Sequence, residues 1–410
     1  MELPKPETPG KLDFYEKTFL IALLGVIIYI LFYLDAEGIV VSGVTIWYTD
    51  IIYLFLFVLI LRQLFSKSRS RVHFKRSFSL YLFVALIFVT AAVNVVLYGL
   101  QIIGLMRAYV PIVLTIYTIL FLRKEKAPLM FEKLTKYTVP IILIALFVLD
   151  PKASWGPPHA TTELRQEYQI LNSSSVLFIA VLFIYFVAYN RLRTDKKTIS
   201  YFLVVFLLFI IIFQQHRSVW MFTFAALLTY GVKSSAITAR SLGKLTLPLV
   251  LILIFATIYS QMSPGALSSI SESLSQSFQG ILTPEADETS NWRLLYLQSA
   301  MSGIGEHLIF GVGFKETMEI YIGNQISLTS PHSFYLALLM YYGLMGLTIF
   351  LIYIVDVIMK LNRSIKANWN DASQRSYYLF VQCCIVGFLA FGLAYGFDPI
   401  MFLIFGLAEL

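Results

Sequence analysis

The sequence predicts an all-helical polytopic membrane protein, and three observations support this prediction. Of the 410 residues, 58% are hydrophobic and only 13% are charged, whereas soluble chains carry about 25% charged residues. The mean hydropathy is +0.76. Apolar runs approaching 20 residues recur along the chain, and this is the length that crosses a bilayer. A soluble globular protein is therefore excluded.

Polar breaks divide the chain into about twelve predicted spans. The last run, which follows Pro399, holds only about 11 residues, whereas a perpendicular span needs about 20. It is therefore expected to be partial, re-entrant or supported by neighbours, so that eleven full spans is the alternative. The predicted spans are residues 18–34, 47–65, 78–97, 105–122, 137–149, 174–190, 198–214, 218–232, 245–260, 333–359, 376–394 and 399–410.

The basic residues predict the orientation of these spans. The N-terminal head and alternate turns hold 25 of the 31 Lys and Arg residues, although the net charge is only +7. Basic residues concentrate on the cytoplasmic side of a membrane, and so these turns and both termini are predicted to be cytoplasmic. This asymmetry indicates membrane insertion rather than nucleic acid binding. The other six basic residues fall on the predicted outer side: Arg107, Lys152, Arg165, Arg217, Arg293 and Lys315.

Three regions follow from this topology. Residues 1–260 hold about nine spans, residues 261–331 form one large outer loop, and residues 332–410 hold the C-terminal spans. A loop longer than about 15 residues is usually functional or disordered. Within this loop, Trp292–Met301 places apolar residues at helical spacing, which predicts a helix along the membrane surface.

The first candidate site lies in the turn that contains His216, Arg217 and Trp220. An arginine on the outer side is either a snorkelling side chain beside an interfacial tryptophan or an anion clamp. The guanidinium group presents a planar fork of N–H donors that matches phosphate oxygens, and it stays charged at every relevant pH. Arg217 therefore suits a lipid diphosphate.

The second candidate site begins at Ser330 and Pro331, which are predicted to be the N-cap and the first residue of a membrane helix. His332 would then lie in the first turn, where the helix dipole disfavours imidazolium and leaves a neutral base. The neighbouring glycines are expected to form a turn at Gly311 and Gly313 and to permit close helix packing at Gly343 and Gly346.

These elements resemble the O-antigen ligase and O-antigen polymerase superfamily of bacterial membrane glycosyltransferases. The resemblance covers residues 214–410. Its elements, in order around one large outer loop, are Arg-Ser-Val-Trp at Arg217, Asn-Trp-Arg ending at Arg293, Gly-Val-Gly at Gly311, Pro-His-Ser-Phe-Tyr-Leu around His332, and Gly-Leu-Met-Gly at Gly343.

The resemblance implies a GT-C-like fold and a metal-independent, inverting transfer at the periplasmic face of the inner membrane. The donor would be an undecaprenyl-diphosphate-linked glycan. Arg217 and Arg293 would stabilise the leaving diphosphate with Ser333, and His332 would deprotonate the acceptor or donate a hydrogen bond to phosphate. No cofactor is implied. Secondary site residues would be His216, Glu306 and Lys315.

Three functions remain open at this stage. A polymerase of O-antigen or exopolysaccharide repeat units would use a lipid-linked glycan as acceptor and could work with a chain-length regulator. A ligase would use the lipid A core instead. A flippase or exporter of the same lipids would make no bond, but it should need charge within a through-membrane cavity. A magnesium site also stays open, because Glu285, Asp287 and Glu288 precede Arg293.

Overall fold

The computed structural model is mostly helical. It describes residues 12–31, 39–41, 44–65, 78–99, 109–148, 171, 173–188, 197–214, 216–234, 304–313, 318–322, 325–329 and 333–410. Eleven α-helices lie within these ranges, and they are α1 (Phe14–Leu31), α2 (Tyr48–Phe65), α3 (Phe78–Tyr98), α4 (Ile112–Phe121), α5 (Ala127–Val148), α6 (Ser173–Ala188), α7 (Lys197–Phe213), α8 (Arg217–Ser234), α9 (Phe334–Ala367), α10 (Ala372–Phe391) and α11 (Pro399–Ala408).

Two short antiparallel hairpins accompany the helices of the predicted all-α fold within the described residues. Strand β1 (Ile39–Val41) pairs with β2 (Val44–Ile46), and β3 (Met318–Ile322) pairs with β4 (Gln325–Thr329). These segments are rich in β-branched residues, which favour strands. The second hairpin lies in the predicted outer loop, shortly before α9. The predicted surface helix 292–301 and the predicted span 245–260 lie outside the described residues.

Several helices are apolar enough for a membrane protein. Among the helices of the described residues, three can cross a bilayer by length and composition: Phe14–Leu31, Phe78–Leu97 and Phe334–Ala367. Four shorter apolar helices accompany them within the described ranges: Ile112–Phe121, Ser173–Ala188, Phe202–Ile212 and Pro399–Ala408. The predicted membrane character is supported, and the number of spans stays a prediction.

Helix α10 lies at the centre of the packed helices and contacts α6, α8, α9 and α11. The C-terminal half of α10 allows a close approach of α8 at Gly387, where a Cβ atom would lie only 2.6 Å from the ring of Phe222. That ring packs 5.1 Å from the ring of Phe388. The first turns of α8 are thereby packed against the last turns of α10.

The short helix α11 is supported by its neighbours. Ten residues rise about 15 Å, which is half the thickness of a bilayer core. Every residue from 400 to 408 is buried. The helix packs against α4 and α10, and Thr115 of α4 donates a hydrogen bond of 2.6 Å to the carbonyl of Phe402. The structure thus confirms that this short segment is supported by neighbours, and whether it spans the membrane partially or re-enters stays a prediction.

Helix α9 is broken at Gly343, and this corrects the predicted continuous span. Gly343 has φ 65° and ψ −166°, a conformation that essentially only glycine adopts. The rings of Phe334 and Phe350 lie 5.2 Å apart. In a straight helix these residues would be separated by about 24 Å along the axis. The half-helix 334–342 is therefore folded back sharply against the remainder.

A segment of the large loop is inserted at this break. Residues 304–313 begin with a 3-10 turn, Gly305–His307, and continue through Gly311 and Gly313, which have φ of 72° and 69°. The turn predicted at these two glycines is confirmed. Gly343 does not only permit packing, as predicted, but breaks the helix. We call the contact between segment 304–313 and the break at Gly343 the glycine clasp.

Candidate active site

The starts of α6, α8, α9 and α11 lie together with the end of α10, and we call this region the site end. Contacts between them define it: the hydroxyl of Ser175 donates to the carbonyl of Ile30 at the end of α1, and Ser333 at the start of α9 donates to Gly392 after α10. The predicted site residues His216, Arg217 and Ser333 lie at this end.

His216 joins the start of α8 to the segment before α6. Its Nε2 lies 2.8 Å from the carbonyl oxygen of Leu171, and its Nδ1 lies 3.1 Å from the hydroxyl of Ser173. A carbonyl oxygen only accepts, and so Nε2 carries the hydrogen. In the neutral ring, Nδ1 then accepts from Ser173. This predicted secondary site residue therefore has a positioning contact on each ring nitrogen.

Arg217 is the first residue of α8 and is half-buried. The indole of Trp220, one turn later, donates a hydrogen bond of 3.0 Å to the carbonyl of Ile211 in α7. This bond fixes the α7–α8 turn, so that Trp220 does more than line the interface. The guanidinium group and the positive end of α8 lie at the same point of the chain, and both favour an anion there.

The start of α9 differs from the sequence prediction. The helix begins at Phe334 with Ser333 as its N-cap, not at Pro331 with Ser330. Tertiary contacts decide the boundary, because the Phe334 amide donates to the carbonyls of Gly392 and Tyr395 at 3.1 and 3.0 Å. The shift places His332 just before the N-cap in sequence instead of inside the first turn.

Ser333 fastens this start to the end of α10. Its hydroxyl donates a 3.0 Å hydrogen bond to the carbonyl of Gly392, and the Tyr335 hydroxyl donates a 2.9 Å bond to Leu389. A Cβ atom at Gly392 would overlap the ring of Phe334. In this structure the Ser333 hydroxyl donates its hydrogen to another part of the protein. Its oxygen can therefore still accept a hydrogen bond from a ligand, but the hydroxyl cannot also donate one.

The other predicted site residues cannot be placed. Arg293, His332 and Lys315 lie outside the described residues. Glu306 lies in the 3-10 turn of the inserted segment, and its side chain is outside the described set. The structure therefore brings Arg217, His216 and Ser333 to one end of the molecule. The roles of Arg293, His332, Glu306 and Lys315 stay predictions.

Sequence analysis missed Asp398, a carboxylate in the turn between α10 and α11. The residue is 1% exposed, and its Oδ1 accepts a 2.9 Å hydrogen bond from the Ile400 amide. Burial raises its pKa to about 6, although hydrogen bonds from Ser174 and the Ile400 amide lower it. The Asp-Pro pair before an apolar run, a typical N-cap, was the available signal.

A family comparison identifies this arrangement. Residues 202–351 match a family model described as O-antigen ligase. Over these residues the chain is similar to the O-antigen ligase and polymerase superfamily. The predicted resemblance is thereby confirmed. No curated protein matches the chain.

The matched region covers most of the candidate site. It spans Arg217, Arg293 and His332 as well as both halves of the glycine clasp, whereas Asp398 follows it. Within the described ranges, no group of three or more His, Cys, Asp or Glu side chains could hold a metal ion. Glu285, Asp287 and Glu288 lie outside those ranges, and so metal independence stays a prediction.

Proposed function

We propose that this protein transfers a saccharide from an undecaprenyl-diphosphate-linked donor to a glycan acceptor at the periplasmic face of the inner membrane. It would most simply polymerise O-antigen or exopolysaccharide repeat units. The observation that carries the proposal is the O-antigen ligase match over residues 202–351, which includes Arg217 at the positive end of α8. A helix N-terminus beside a guanidinium group suits a diphosphate.

The arginines act on the leaving group. When the bond between the anomeric carbon and the diphosphate oxygen breaks, negative charge grows on that oxygen. Arg217 and Arg293 would stabilise this charge more in the transition state than in the bound donor, which is the requirement for catalysis. No nucleotide or metal is needed for this step, because the donor already carries a good leaving group.

His332 acts on the acceptor. The acceptor hydroxyl oxygen forms the new bond to the anomeric carbon, its proton passes to the neutral imidazole, and the bonding electrons to the old oxygen leave with undecaprenyl diphosphate. A single displacement of this kind inverts the anomeric configuration. The Ser333 contacts to Gly392 support the step by fixing the chain immediately after His332.

A ligase that uses the lipid A core as acceptor is the second candidate, and the description of the matching family favours it. Both reactions share the donor and the leaving group. They differ only in the acceptor, so that a choice of acceptors in one assay separates them. A flippase of the same lipids would form no glycosidic bond in that assay.

The test uses the purified protein in lipid nanodiscs with lipid-linked repeat units, with and without lipid A core. Gel analysis should show a ladder of longer glycans without core if the protein is a polymerase. A product formed only with core would indicate a ligase. Absence of any new glycosidic bond with either acceptor, while lipid transport persists in proteoliposomes, would reject both enzymes in favour of the flippase.

Orientation is tested separately by cysteine labelling. The native Cys383 and Cys384 are buried, which keeps background labelling low. A cysteine at Ser275 should react with an impermeant reagent in spheroplasts, and a cysteine at Ser235 should react only after lysis. The reverse pattern would place the large loop in the cytoplasm and reject the periplasmic site.

A further inference from the structure

The break in α9 and the inserted loop segment satisfy each other's backbone groups. At a helix break, the next amides lose their acceptors within the helix and the last carbonyls lose their donors. In hydrocarbon such groups must find protein partners. Three backbone hydrogen bonds supply them here: Leu344 N–H to Leu308 O at 2.8 Å, Met345 N–H to Ile309 O at 3.1 Å, and Val312 N–H to Met340 O at 2.8 Å.

Glycine is required on both sides of this contact. A Cβ atom at Gly311 would lie 2.6 Å from both the Gly343 nitrogen and the Met340 oxygen. A Cβ atom at Gly343 would lie 2.5 Å from the Gly311 nitrogen and closer still to Ile309. All of these obstacles are backbone atoms, which cannot turn aside as a side chain can. Both residues also have positive φ values.

The clasp and the end of α10 hold opposite ends of one half-helix. Residues 334–342 are fastened at their start by Ser333 and Phe334 to Gly392, and they are fastened at their finish by the bonds at Met340 and Leu344. The half-helix between these two attachments is only about 13 Å long. Its start adjoins His332 in sequence, and the inserted segment follows Arg293 in the same loop.

We propose that Gly311 and Gly343 are positioning residues for saccharide transfer, because their contact fixes the half-helix 334–342 and therefore the start of α9. The inference rests on the proposed function. Gly311 in the loop and Gly343 in α9 thus act together. Their contact joins the large loop to the half-helix whose start adjoins His332, the proposed base for the acceptor. A displacement of the order of 1 Å at that start is enough to cost about a hundredfold in rate.

The chain offers two matched glycine controls. Gly305 lies in the same inserted segment, and no atom lies within 4 Å of a Cβ atom built there. Gly99, at the end of α3, has φ 79° but equally open surroundings. Gly305→Ala therefore tests the added methyl group alone, and Gly99→Ala tests backbone strain without a clash. Gly311→Ala and Gly343→Ala add strain and clash together.

The experiment measures transfer kinetics and amide hydrogen exchange by mass spectrometry on each variant in nanodiscs. Gly311→Ala and Gly343→Ala should expose the amides of Val312, Leu344 and Met345 to exchange. The kcat of both variants should fall on the order of tenfold to a hundredfold, while the donor KM changes little. Both controls should keep kcat and amide protection in the clasp.

Three results would overturn the proposal. Open clasp amides with unchanged kcat would show that the clasp does not position the site. If Gly99→Ala lost as much kcat as the clasp variants, backbone strain anywhere in the protein would explain the loss, and the clasp would not. Rapid exchange of these amides in the wild-type protein would show that the clasp does not form. If wild-type protein transfers no sugar with any acceptor, the proposed function fails, while amide protection still reports whether the clasp exists.

A milder variant covers the case in which both alanine variants misfold. A Cβ atom at Gly313 would lie 2.6 Å from the side-chain oxygen of Asn94, a side chain that Asn94→Ala removes. Gly313→Ala should loosen the clasp and lower kcat, and the double variant with Asn94→Ala, which removes the clash but not the strain of the positive φ, should recover part of both. Failure of this rescue in both measurements would also contradict the proposal.

Discussion

The two ends of the helical bundle treat polar groups differently. At the end opposite to the site, buried charges are paired within the protein. Lys126 at the start of α5 lies 3.2 Å from the Glu16 carboxylate in α1, and Lys360 in α9 lies 2.9 Å from the Glu409 carboxylate after α11. Both carboxylate side chains are fully buried. Ion pairing within the protein therefore accounts for these buried charges without a ligand.

At the site end, polar groups hold chain ends instead. His216, Ser333 and Asp398 each bind a backbone group of another segment or cap a helix. The start of α9 at Phe334 also lies there, nine residues before the helix break at Gly343. A membrane protein accepts irregular backbone at such depth only when protein groups satisfy it or when it lines a cavity. The proposed function assigns the ligand to this end, whereas the paired charges of the opposite end serve stability.

The largest expected effect concerns the arginines at the site end. If Arg217 and Arg293 bind phosphate through two N–H groups, Arg→Lys at either position should lower transfer by on the order of tenfold to a thousandfold, or about 1.4 to 4 kcal/mol. Transfer is measured with purified donor and acceptor. Arg363→Lys, on an exposed position near the opposite end, is the matched control and should leave the rate unchanged. Full activity of both site variants would reduce these residues to snorkelling cations.

The next effect concerns His332 and pH. As a general base it must be neutral, and so transfer should decline as pH falls below about 6.5, the ordinary pKa of imidazole. His332→Ala should lose about a hundredfold, or about 2.7 kcal/mol. His332→Gln separates the two roles, because glutamine can still donate a hydrogen bond to phosphate. Near-normal transfer by this variant, with the same acid limb, would make His332 a donor and assign the base elsewhere.

Much of this fold was predictable because a bilayer forces long apolar runs into helices. Helix α10 was predicted at 376–394 and occurs at Ala372–Phe391, and the supported short helix after Pro399 was expected from its length. The role of Arg217 stays a prediction, which rests on an arginine beside a tryptophan in a turn predicted to lie on the outer side.

The features that were not predicted depend on partners distant in sequence. The break at Gly343 needs carbonyls from Leu308 and Ile309, about 35 residues earlier. The start of α9 at Phe334 needs Gly392 and Tyr395 as acceptors. A window of neighbouring residues contains none of this information. Asp398 is the exception, because its Asp-Pro signature is local and only its burial is not.

A smaller effect concerns Asp398 and stability. Burial raises its pKa from 3.8 to about 6. A raised folded-state pKa means that the folded protein holds the proton more tightly, so that this stability is complete below pH 3.8 and is lost as pH rises through about 6. The upper bound is about 3 kcal/mol. Asp398→Asn keeps an N-cap without the charge, and so it should flatten the dependence of Tm on pH between 4 and 6.

Asp371→Asn is the control for this titration. Asp371 is the exposed N-cap of α10 and accepts bonds of 3.0 Å from the amides of Ser373 and Gln374. The same substitution there removes a capping carboxylate that is open to solvent, and so it controls for the loss of an N-cap charge as such. An unaltered slope in Asp398→Asn would show that the buried carboxylate does not control stability in this range.

The smallest effect is expected at the opposite end, where Lys360 and Glu409 form a self-contained pair. The Glu409 side chain is fully buried, but the Lys360 side chain is 35% exposed, and so solvent screens much of their attraction. Replacing a buried ion pair by neutral groups of similar shape is often nearly neutral. The double variant Lys360→Met with Glu409→Gln should therefore change the free energy of unfolding by less than about 1 kcal/mol and leave transfer unaltered.

Lys360→Met alone should cost about 3 kcal/mol or more, because it leaves a buried carboxylate without its cation. Denaturant unfolding and the transfer assay check both variants. If the double variant loses transfer while it remains folded, the opposite end contributes to the reaction, and the division between a ligand-binding end and a stabilising end is wrong.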